Sequence, residues 1–268
     1  MSKYIKKTWM WAISIVTFIF MFVPEDSFKD YQLFTKLSEN ITIVINRLGI
    51  FVIVIVISFV VNGLILLFRN SVKLKGRNYT IIIKYGDIFK QKNSKKVIPF
   101  DECFTTTVGV APYDINPNSI CGQYLQANSN VDIQQLISII GLKSKGKSKY
   151  GSKERYESGR VLMEREYLLM AFAKLDKEGL GRMTREEYLE SLSVLWEEIN
   201  KWYGQQDVCI PILGSGVTRI GDTSLTQQEL LDIMISSYKL SLTKIHNPNK
   251  LYIICKRRDD FSLNKIEG

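Results

Sequence analysis

A short apolar run that ends in a glycine-containing turn has the composition of a phosphate-binding site. Residues 208–210 and Ile212 are apolar, and Gly214 and Gly216 follow them. Such a run predicts a strand that is buried on both faces of an α/β sheet. Glycines lack a Cβ atom, so the backbone can turn sharply and present its N–H groups to the oxygens of a phosphate or diphosphate. A single Gly-x-Gly is also common in ordinary turns after strands, so the rest of the chain must decide between these interpretations.

Few residues are arranged for catalysis or metal binding. Asp101 and Glu102 follow an apolar segment and are candidates for a general base, although acidic residues after a strand are usually solvated. The single histidine, His246, lies in a polar turn, so nucleophilic chemistry that depends on histidine has little support. The four cysteines show no Cys-x-x-Cys spacing, which favours free thiols over disulfides or a zinc site; they are Cys103, Cys121, Cys209 and Cys255. We therefore predict a binding site without a catalytic residue, a metal or a cofactor.

Strand and helix patterns alternate around the glycine turn from about residue 78 onward. Strands are predicted by the β-branched and aromatic runs 78–85, 96–100, 167–172 and 251–255. Helices are predicted by the apolar spacing of residues 131–140, 184–203 and 226–238, and Gly141 is expected to end the first of them. Capping boxes begin the last two helices, with the pairs Thr184 and Glu187, and Thr226 and Glu229. This alternation predicts a mainly parallel or mixed sheet that helices cover on both faces.

The segment 143–158 differs from its surroundings, because it is rich in lysine, glycine and serine and has almost no apolar residues. We interpret it as a mobile loop. A solvated linker is the usual meaning of such a composition, and a lid over a ligand or a basic patch that faces lipid are the alternatives.

Two long apolar runs near the N-terminus have the length of membrane-spanning helices. Residues 48–68 carry no charge and would extend about 31 Å as a helix, enough to cross the hydrocarbon core of a bilayer. Residues 9–23 would extend only about 23 Å, so this run requires its flanking residues or a local thinning of the bilayer. A cleaved secretory signal is the alternative for the first run, but residues 22–24 are bulky and offer no small-residue cleavage site. We therefore predict two membrane helices, at about 9–23 and 48–68.

The middle of the second run contains Asn62 and Gly63. An amide in hydrocarbon requires a partner, which Asn62 would find in a neighbouring helix if Gly63 lets that helix approach closely. A single tolerated polar residue is an equally good interpretation.

The charges that flank the two runs predict their orientation. Basic residues lie outside the pair, at Lys3, Lys6, Lys7, Arg69, Lys73, Lys75 and Arg77. The connection between the runs is acidic on balance, although Arg47 lies directly before the second run; its other charged residues are Glu25, Asp26, Lys29, Asp30, Lys36 and Glu39. Because basic flanks stay on the cytoplasmic side, both termini are predicted to be cytoplasmic. The net charge of +9 and the pI near 9.2 are then explained by anionic lipid of the inner leaflet, and no nucleic acid is needed.

The order of these segments resembles the macro domain, a family that binds ADP-ribose and its derivatives. The resemblance rests on Gly86-Asp87-Ile88, residues 210–216, Ser119-Ile120-Cys121-Gly122, strand 167–172, helix 184–203 with Trp196, and helix 224–238. Behind two membrane helices, this pattern is similar to the membrane-anchored macro effector of type II Thoeris antiphage defence systems, over nearly the whole chain. The resemblance implies an α/β fold: a macro-like three-layer α/β/α domain with a mixed sheet at 78–268, preceded by a transmembrane hairpin with basic cytoplasmic flanks at 1–77.

The resemblance also implies a ligand and the residues that hold it. In that family a partner TIR-domain enzyme consumes NAD to make histidine-ADP-ribose, which the macro domain binds. Asp87 would then accept a hydrogen bond from the adenine amino group, with Ile88 beside the ring. Backbone N–H groups of the glycine turn would wrap the diphosphate, at Gly214, Ser215, Gly216, Val217 and Thr218. Ser119 and Gly122 would lie in the opposite loop, and Gly86, Leu213 and Arg219 complete the predicted set.

The implied function is antiphage defence at the cell inner membrane. Ligand binding would activate the membrane part, disrupt the membrane and kill the infected cell; the partners would be the signal of the TIR protein, inner-membrane lipid and further copies of this chain. One departure bears on catalysis. Hydrolytic macro domains carry an Asn-rich stretch after the second strand, whereas residues 97–102 here contain no asparagine. We therefore predict that the chain is not an enzyme, with a membrane-anchored ADP-ribosyl hydrolase or a constitutive membrane scaffold as alternatives.

Overall fold

A computed structural model describes residues 2–28, 38–221 and 225–266. The chain divides into two compact units, Met1–Arg69 and Asn70–Gly268. Lys29, Asp30 and Lys36 of the predicted acidic connection lie outside the described residues, as does Ser224.

The first unit contains two long apolar helices. Helix α1 covers Ser2–Phe22, helix α2 covers Glu39–Leu67, and a short 3-10 turn covers Glu25–Phe28. Both helices are long and apolar enough to cross a membrane, over Tyr4–Phe22 and Glu39–Leu67. Each begins earlier than its predicted apolar run, because the polar residues before the run continue the helix. Large apolar side chains are exposed along both helices, as the lipid-facing sides of a membrane hairpin would be.

The two helices approach closely near Gly63. The Tyr4 hydroxyl donates a hydrogen bond of 2.7 Å to the Phe59 carbonyl, and a Cβ atom at Gly63 would lie 3.6 Å from that hydroxyl oxygen. Thr8 and Ala12, one and two turns further along α1, are fully buried. Within residues 2–28 and 38–69, no hydrogen bond joins the Asn62 amide to α1. The polar contact between the helices is therefore made by Tyr4, and Asn62 does not supply it.

Polar contacts connect the 3-10 turn to the beginning of α2. Arg47 forms an ion pair of 3.0 Å with Glu25, and its guanidinium lies 5.2 Å from the centre of the Phe28 ring. The Asn46 amide donates to the Phe28 carbonyl at 2.7 Å. The Phe28 carbonyl and the Arg47 guanidinium thus both have partners. Without them, burying these polar groups next to an apolar helix would cost free energy.

The second unit is built on a seven-stranded mixed sheet with the order β1-β2-β9-β7-β3-β5-β4. Its strands are β1 Ser71–Lys75, β2 Thr80–Tyr85, β3 Ser94–Asp101, β4 Val161–Glu164, β5 Tyr167–Ala173, β7 Asp207–Pro211 and β9 Leu251–Cys255. A separate two-stranded sheet pairs β6 Arg182–Met183 with β8 Arg219–Ile220 in parallel. The strands β2, β9, β7, β3 and β5 are parallel to their neighbours, and only the edge strands β1 and β4 are antiparallel. The carboxyl ends of the parallel strands therefore lie at one edge of the sheet.

Helices cover both faces of this sheet, as predicted for a three-layer α/β/α fold. They are α3 Ile120–Ala127, α4 Ile133–Ile140, α5 Arg185–Trp202 and α6 Gln227–Leu240. One face packs on α5 and α6, where the Trp196 and Tyr238 rings meet edge to face at 5.0 Å. The other face packs on α3 and α4 through Tyr124 and Ile133. Each apolar layer is buried because the strand residues alternate between the two faces.

The predicted helix ends are confirmed. Thr184 with Glu187, and Thr226 with Glu229, form complete capping boxes at the starts of α5 and α6. Gly141 ends α4 in the left-handed conformation, with φ of 67°.

From the sequence, β4, β6 and β8 were not predicted as separate strands, and the edge strand β1 was missed as well. In β1, Val72 and Leu74 are buried and the residues between and beside them are exposed, so the strand alternates in the usual way. Because this segment contains Lys73 and Lys75, its sequence predicted a place in the basic flank of the membrane hairpin. The sheet thus begins at Ser71, before the predicted boundary at residue 78.

Candidate functional site

A cavity of about 1160 Å³ lies at the carboxyl edge of the parallel strands. Its walls are formed by the loops that follow β2, β3, β5, β7 and β9 and by residues 109–121. Ligands of open α/β sheets bind at this edge, because the loops there converge while the strands hold them rigidly. Small-molecule pockets typically measure about 300–1,000 Å³, so the cavity accommodates a ligand as large as a dinucleotide.

Nearly all the predicted site residues line this one cavity. They are Gly86, Asp87, Ile88, Ser119, Leu213, Gly214, Ser215, Gly216, Val217, Thr218 and Arg219. Three separate parts of the sequence are thus brought together because β2 and β7 end at the same edge and α3 begins there.

The two glycines of the turn after β7 have different roles. Gly214 has φ of 78°, and a Cβ atom there would lie 2.3 Å from Cδ1 of Ile220, so no other residue fits without strain. A Cβ atom at Gly216 would meet no atom within 4 Å, so this position is open. The Ser215 hydroxyl donates to the Ile212 carbonyl at 2.7 Å, and Tyr188 donates to the Leu213 carbonyl at 3.1 Å. These hydrogen bonds to the Ile212 and Leu213 carbonyls therefore hold the turn in place.

Asp87 lies at the end of the cavity that β2 forms. Its Oδ1 atom accepts the Phe89 N–H at 2.9 Å, and its carbonyl accepts the Gln91 side chain at 2.7 Å. Gly86 donates to the Cys255 carbonyl at 3.1 Å, which joins this turn to the end of β9. These bonds orient the exposed carboxylate and leave it able to accept from a ligand.

The loop before α3 forms the opposite wall. Ser119 caps the helix: its hydroxyl accepts the Gly122 N–H at 3.0 Å and donates to the Asn116 carbonyl at 2.7 Å. Gly122 does not line the cavity, contrary to the prediction. A Cβ atom there would lie 2.2 Å from the Asn116 carbonyl oxygen, so the absence of a side chain at Gly122 allows the loop to pack on its helix.

Glu102 is buried and Asp101 is partly buried, so the expectation that acidic residues at this position are solvated is wrong for Glu102. Asp101 lines the cavity, and its Oδ1 atom accepts the N–H groups of Cys103 at 2.8 Å and Thr105 at 3.2 Å. Burial raises the pKa of the Asp101 carboxyl above its usual value, although both of these bonds oppose the shift. Glu102 is 3% exposed and faces away from the cavity.

Glu102 attaches the basic segment 143–158 to the rest of the macro-like unit through polar contacts. Its carboxylate accepts the Ser148 hydroxyl at 2.8 Å and the Leu175 N–H at 3.2 Å, and Arg155 lies 3.8 Å away. Lys147 pairs with Glu154 across an antiparallel bridge within the segment. Ser148 and Tyr156 are buried, whereas most other residues of the segment are exposed, so the segment is a largely solvated loop that these contacts attach to the fold.

The basic segment meets the rim of the cavity at one point. Tyr150 stacks on Tyr113 with ring centres 6.1 Å apart, and Tyr113 lines the cavity. A Cβ atom at Gly179, another lining residue, would lie 2.8 Å from Tyr113 and 3.0 Å from the Tyr150 ring.

Several lining residues escaped sequence reasoning. Lys256 and Arg258 follow β9, and Tyr113 and Gly179 lie in loops without a recognisable motif. Lys256 and Arg258 could have been predicted from their position directly after the last predicted strand, because that strand ends at the same edge of the sheet as the glycine turn.

The thiols are unsuited to nucleophilic chemistry. Burial raises the pKa of Cys103 to about 11 and that of Cys255 to about 12, and it also raises the pKa of Cys209. No group of three His, Cys, Asp or Glu side chains suited to a metal ion occurs in the part of the chain that the structure describes. His246 is exposed, contacts Asn78 at 3.0 Å and is not part of the cavity wall.

Known proteins match both the sequence and the fold. The family described as "Thoeris protein ThsA, Macro domain" matches residues 81–256. The Thoeris protein ThsA of Bacillus amyloliquefaciens (strain Y2) is 32% identical in an alignment of 266 residues, and the match covers 95% of this chain and 86% of that protein.

Solved macrodomain structures are similar at lower identity. A variant of the Oceanobacillus iheyensis macrodomain is 13% identical and covers 72% of this chain and 93% of its own, with a TM-score of 0.45. A second variant, with ADPR, is 14% identical over 71% of this chain and 92% of its own, with a TM-score of 0.42. The long family match and the identity over almost the whole chain establish that this protein belongs to the Thoeris ThsA family and that its second unit is a macro domain.

Proposed function

We propose that this chain is an antiphage defence effector whose cavity binds an ADP-ribose derivative and whose apolar helices act on the membrane. The observation that carries the proposal is the convergence of Asp87, the glycine turn after β7 and the Ser119 loop on one cavity of nucleotide size. Membership of the Thoeris ThsA family supports the same role.

The strand order supports a definite orientation for the ligand. From β2 to β7 the sheet crosses β9, so Asp87 and the glycine turn are two strand spacings apart, about 10 Å. That separation leaves room for one ribose between an adenine at Asp87 and a diphosphate at residues 214–218. Backbone N–H groups of this turn would bind the diphosphate, and Arg219 at its end adds positive charge.

The finer identity of the signal follows from the family resemblance. We expect histidine-ADP-ribose, made by a partner TIR-domain enzyme, as the natural ligand. We expect binding and not catalysis, because Glu102 is occupied by structural hydrogen bonds and Asp101 accepts two backbone N–H groups. Turnover of ADP-ribosylated protein by the purified chain would favour the hydrolase alternative instead.

The membrane part of the proposal rests on α1 and α2. We place both in the inner membrane with both termini cytoplasmic, since the lysines before α1 and the basic residues after α2 flank the pair. The ligand can activate this hairpin only if it binds the active arrangement, or an oligomer that holds it, more tightly than the resting one.

Calorimetry on the full chain in detergent tests the binding proposal. Wild type should bind ADP-ribose compounds, whereas Asp87→Ala loses the adenine contact and Gly216→Glu places an anion in the open part of the turn. Both variants should fold and insert normally but lose binding and toxicity, and Gly216→Ala is the matched control that should retain both. If the wild-type chain binds no ADP-ribose compound, the proposal is refuted and a constitutive membrane scaffold is favoured.

A further inference from the structure

The segment directly after β9 faces two ways. Lys256 and Arg258 line the cavity, whereas Arg257 between them does not. The Arg257 guanidinium lies 4.4 Å from the centre of the Tyr85 ring, and its Nη2 atom donates to Oδ1 of Asn70 at 2.6 Å. Arg257 is bonded directly to both Lys256 and Arg258, so a backbone shift that moves the outer pair also displaces Arg257.

Asn70 occupies a decisive place in the chain. Helix α2 ends at Leu67 and β1 begins at Ser71, so residues 68–70 form the whole connection between the apolar helix and the sheet. The Asn70 carbonyl accepts the Tyr85 N–H at 3.2 Å, and its side chain accepts from Arg257. The last residue of the connection is therefore held by two contacts within the macro domain.

Tyr85 provides a firm platform for this contact. Its ring meets Phe261 edge to face at 5.7 Å, and its hydroxyl accepts the Leu263 N–H at 3.3 Å. The next residue, Gly86, donates to the Cys255 carbonyl at 3.1 Å. The Gln227 side chain also donates to the Lys256 carbonyl at 3.0 Å, which ties the segment to the start of α6.

Lys256 and Arg258 have the chemistry to recognise an anionic ligand. Both are exposed, and neither is ion-paired within residues 38–221 and 225–266. Phosphate oxygens pair well with the guanidinium fork of arginine and with the point charge of lysine. Because β9 lies between β2 and β7, this pair lies between Asp87 and the glycine turn.

We propose that residues 256–258 couple the cavity to the membrane helix: Lys256 and Arg258 bind a phosphate-bearing ligand, and Arg257 transmits the resulting shift to Asn70. The inference rests on the proposed binding function but adds two ligand residues and a route. A ligand that draws Lys256 and Arg258 toward the cavity changes the hydrogen bond between Arg257 and Asn70. Residues 68–70, which connect α2 to the sheet, are then released or held in a different position. The difference in affinity between the two arrangements is the coupling free energy.

The test uses the full chain in detergent, ADP-ribose as the probe, and two readouts. Calorimetry reports affinity. Hydrogen exchange at the Tyr85 amide reports the connection, because that N–H donates to Asn70. In wild type, ADP-ribose should change exchange at Tyr85 at least threefold. Lys256→Gln and Arg258→Gln should each weaken binding about tenfold, as expected for the loss of a hydrogen bond to a charged group.

The coupling variants separate transmission from binding. Arg257→Gln and Asn70→Ala should bind ADP-ribose within twofold of wild type and lose the change at Tyr85. Asn70→Asp, which keeps the acceptor for Arg257, should retain it. The proposal is overturned if wild type binds ADP-ribose with no change at Tyr85, if Lys256→Gln and Arg258→Gln bind normally, or if Arg257→Gln weakens binding as much as they do. Absence of any binding by wild type would instead defeat the proposed function.

Discussion

Substitution of Gly214 by alanine isolates the conformational demand of the turn after β7. The residue has φ of 78°, and the left-handed region costs a residue with a Cβ atom about 1–2 kcal/mol. The added atom would lie 2.3 Å from Cδ1 of Ile220, the end of a side chain that is 2% exposed. Moving that side chain off its preferred rotamer costs roughly 1 kcal/mol more. We therefore expect Gly214→Ala to lower the free energy of unfolding by about 2–3 kcal/mol.

Thermal unfolding of the full chain in detergent, followed by near-UV circular dichroism, measures this effect. At about 2–4 °C per kcal/mol for a domain of this size, Tm should fall by on the order of 5–10 °C. The matched control is Gly216→Ala, where the new Cβ atom meets nothing within 4 Å and Tm should stay within about 1 °C. ADP-ribose affinity should fall in Gly214→Ala even well below its Tm, because the N–H groups of the turn are displaced. Equal melting of Gly214→Ala and Gly216→Ala would refute the reasoning.

Three further outcomes follow from the buried polar groups. Asp101→Asn should raise Tm at pH 7.5, because burial raises the pKa of the Asp101 carboxyl and its ionised form therefore opposes folding. The Asp101 carboxyl of the wild type should likewise contribute more stability as the pH falls through that raised pKa. A difference in Tm between wild type and variant that does not change with pH would contradict this. Glu102→Ala should speed hydrogen exchange across residues 143–158, whereas Glu102→Gln, which keeps an acceptor for Ser148 and Leu175, should not; equal exchange in both variants would show that the charge alone matters. Ser237→Ala removes the acceptor, 2.8 Å away, of the buried Trp196 indole N–H and should cost about 1–3 kcal/mol in urea unfolding, against a control such as Ser236→Ala on the exposed side of α6.

Local sequence rules located most of the secondary structure of the macro domain. Capping boxes at Thr184 and Thr226 and the left-handed stop at Gly141 depend only on neighbouring residues, so their prediction was accurate. Strand β1 escaped because five residues with three exposed positions, two of them lysines, resemble a basic flank. Only the pairing of β1 with β2 gives Val72 and Leu74 a buried side.

The burial of charged residues could not be read from the sequence. Glu102 and Asp101 are adjacent, yet one faces the basic segment and the other the cavity, since side chains alternate along the chain. The basic composition of residues 143–158 suggested a solvated linker. Its attachment depends on Glu102, which lies 46 residues from its partner Ser148 in sequence.

The sequence alone determined the apolar helices, the alternation of strands and helices, and the glycine turn, because each follows from the periodicity or conformational freedom of consecutive residues. The tertiary structure decided which of these residues share a cavity. The sheet order places β9 between β2 and β7, so Lys256 and Arg258 join Asp87 and Gly214 although no local pattern connects them. Gly122, two residues into α3, packs on Asn116 and does not line the same cavity. Contacts between residues distant in sequence, which only the folded chain can form, account for both differences.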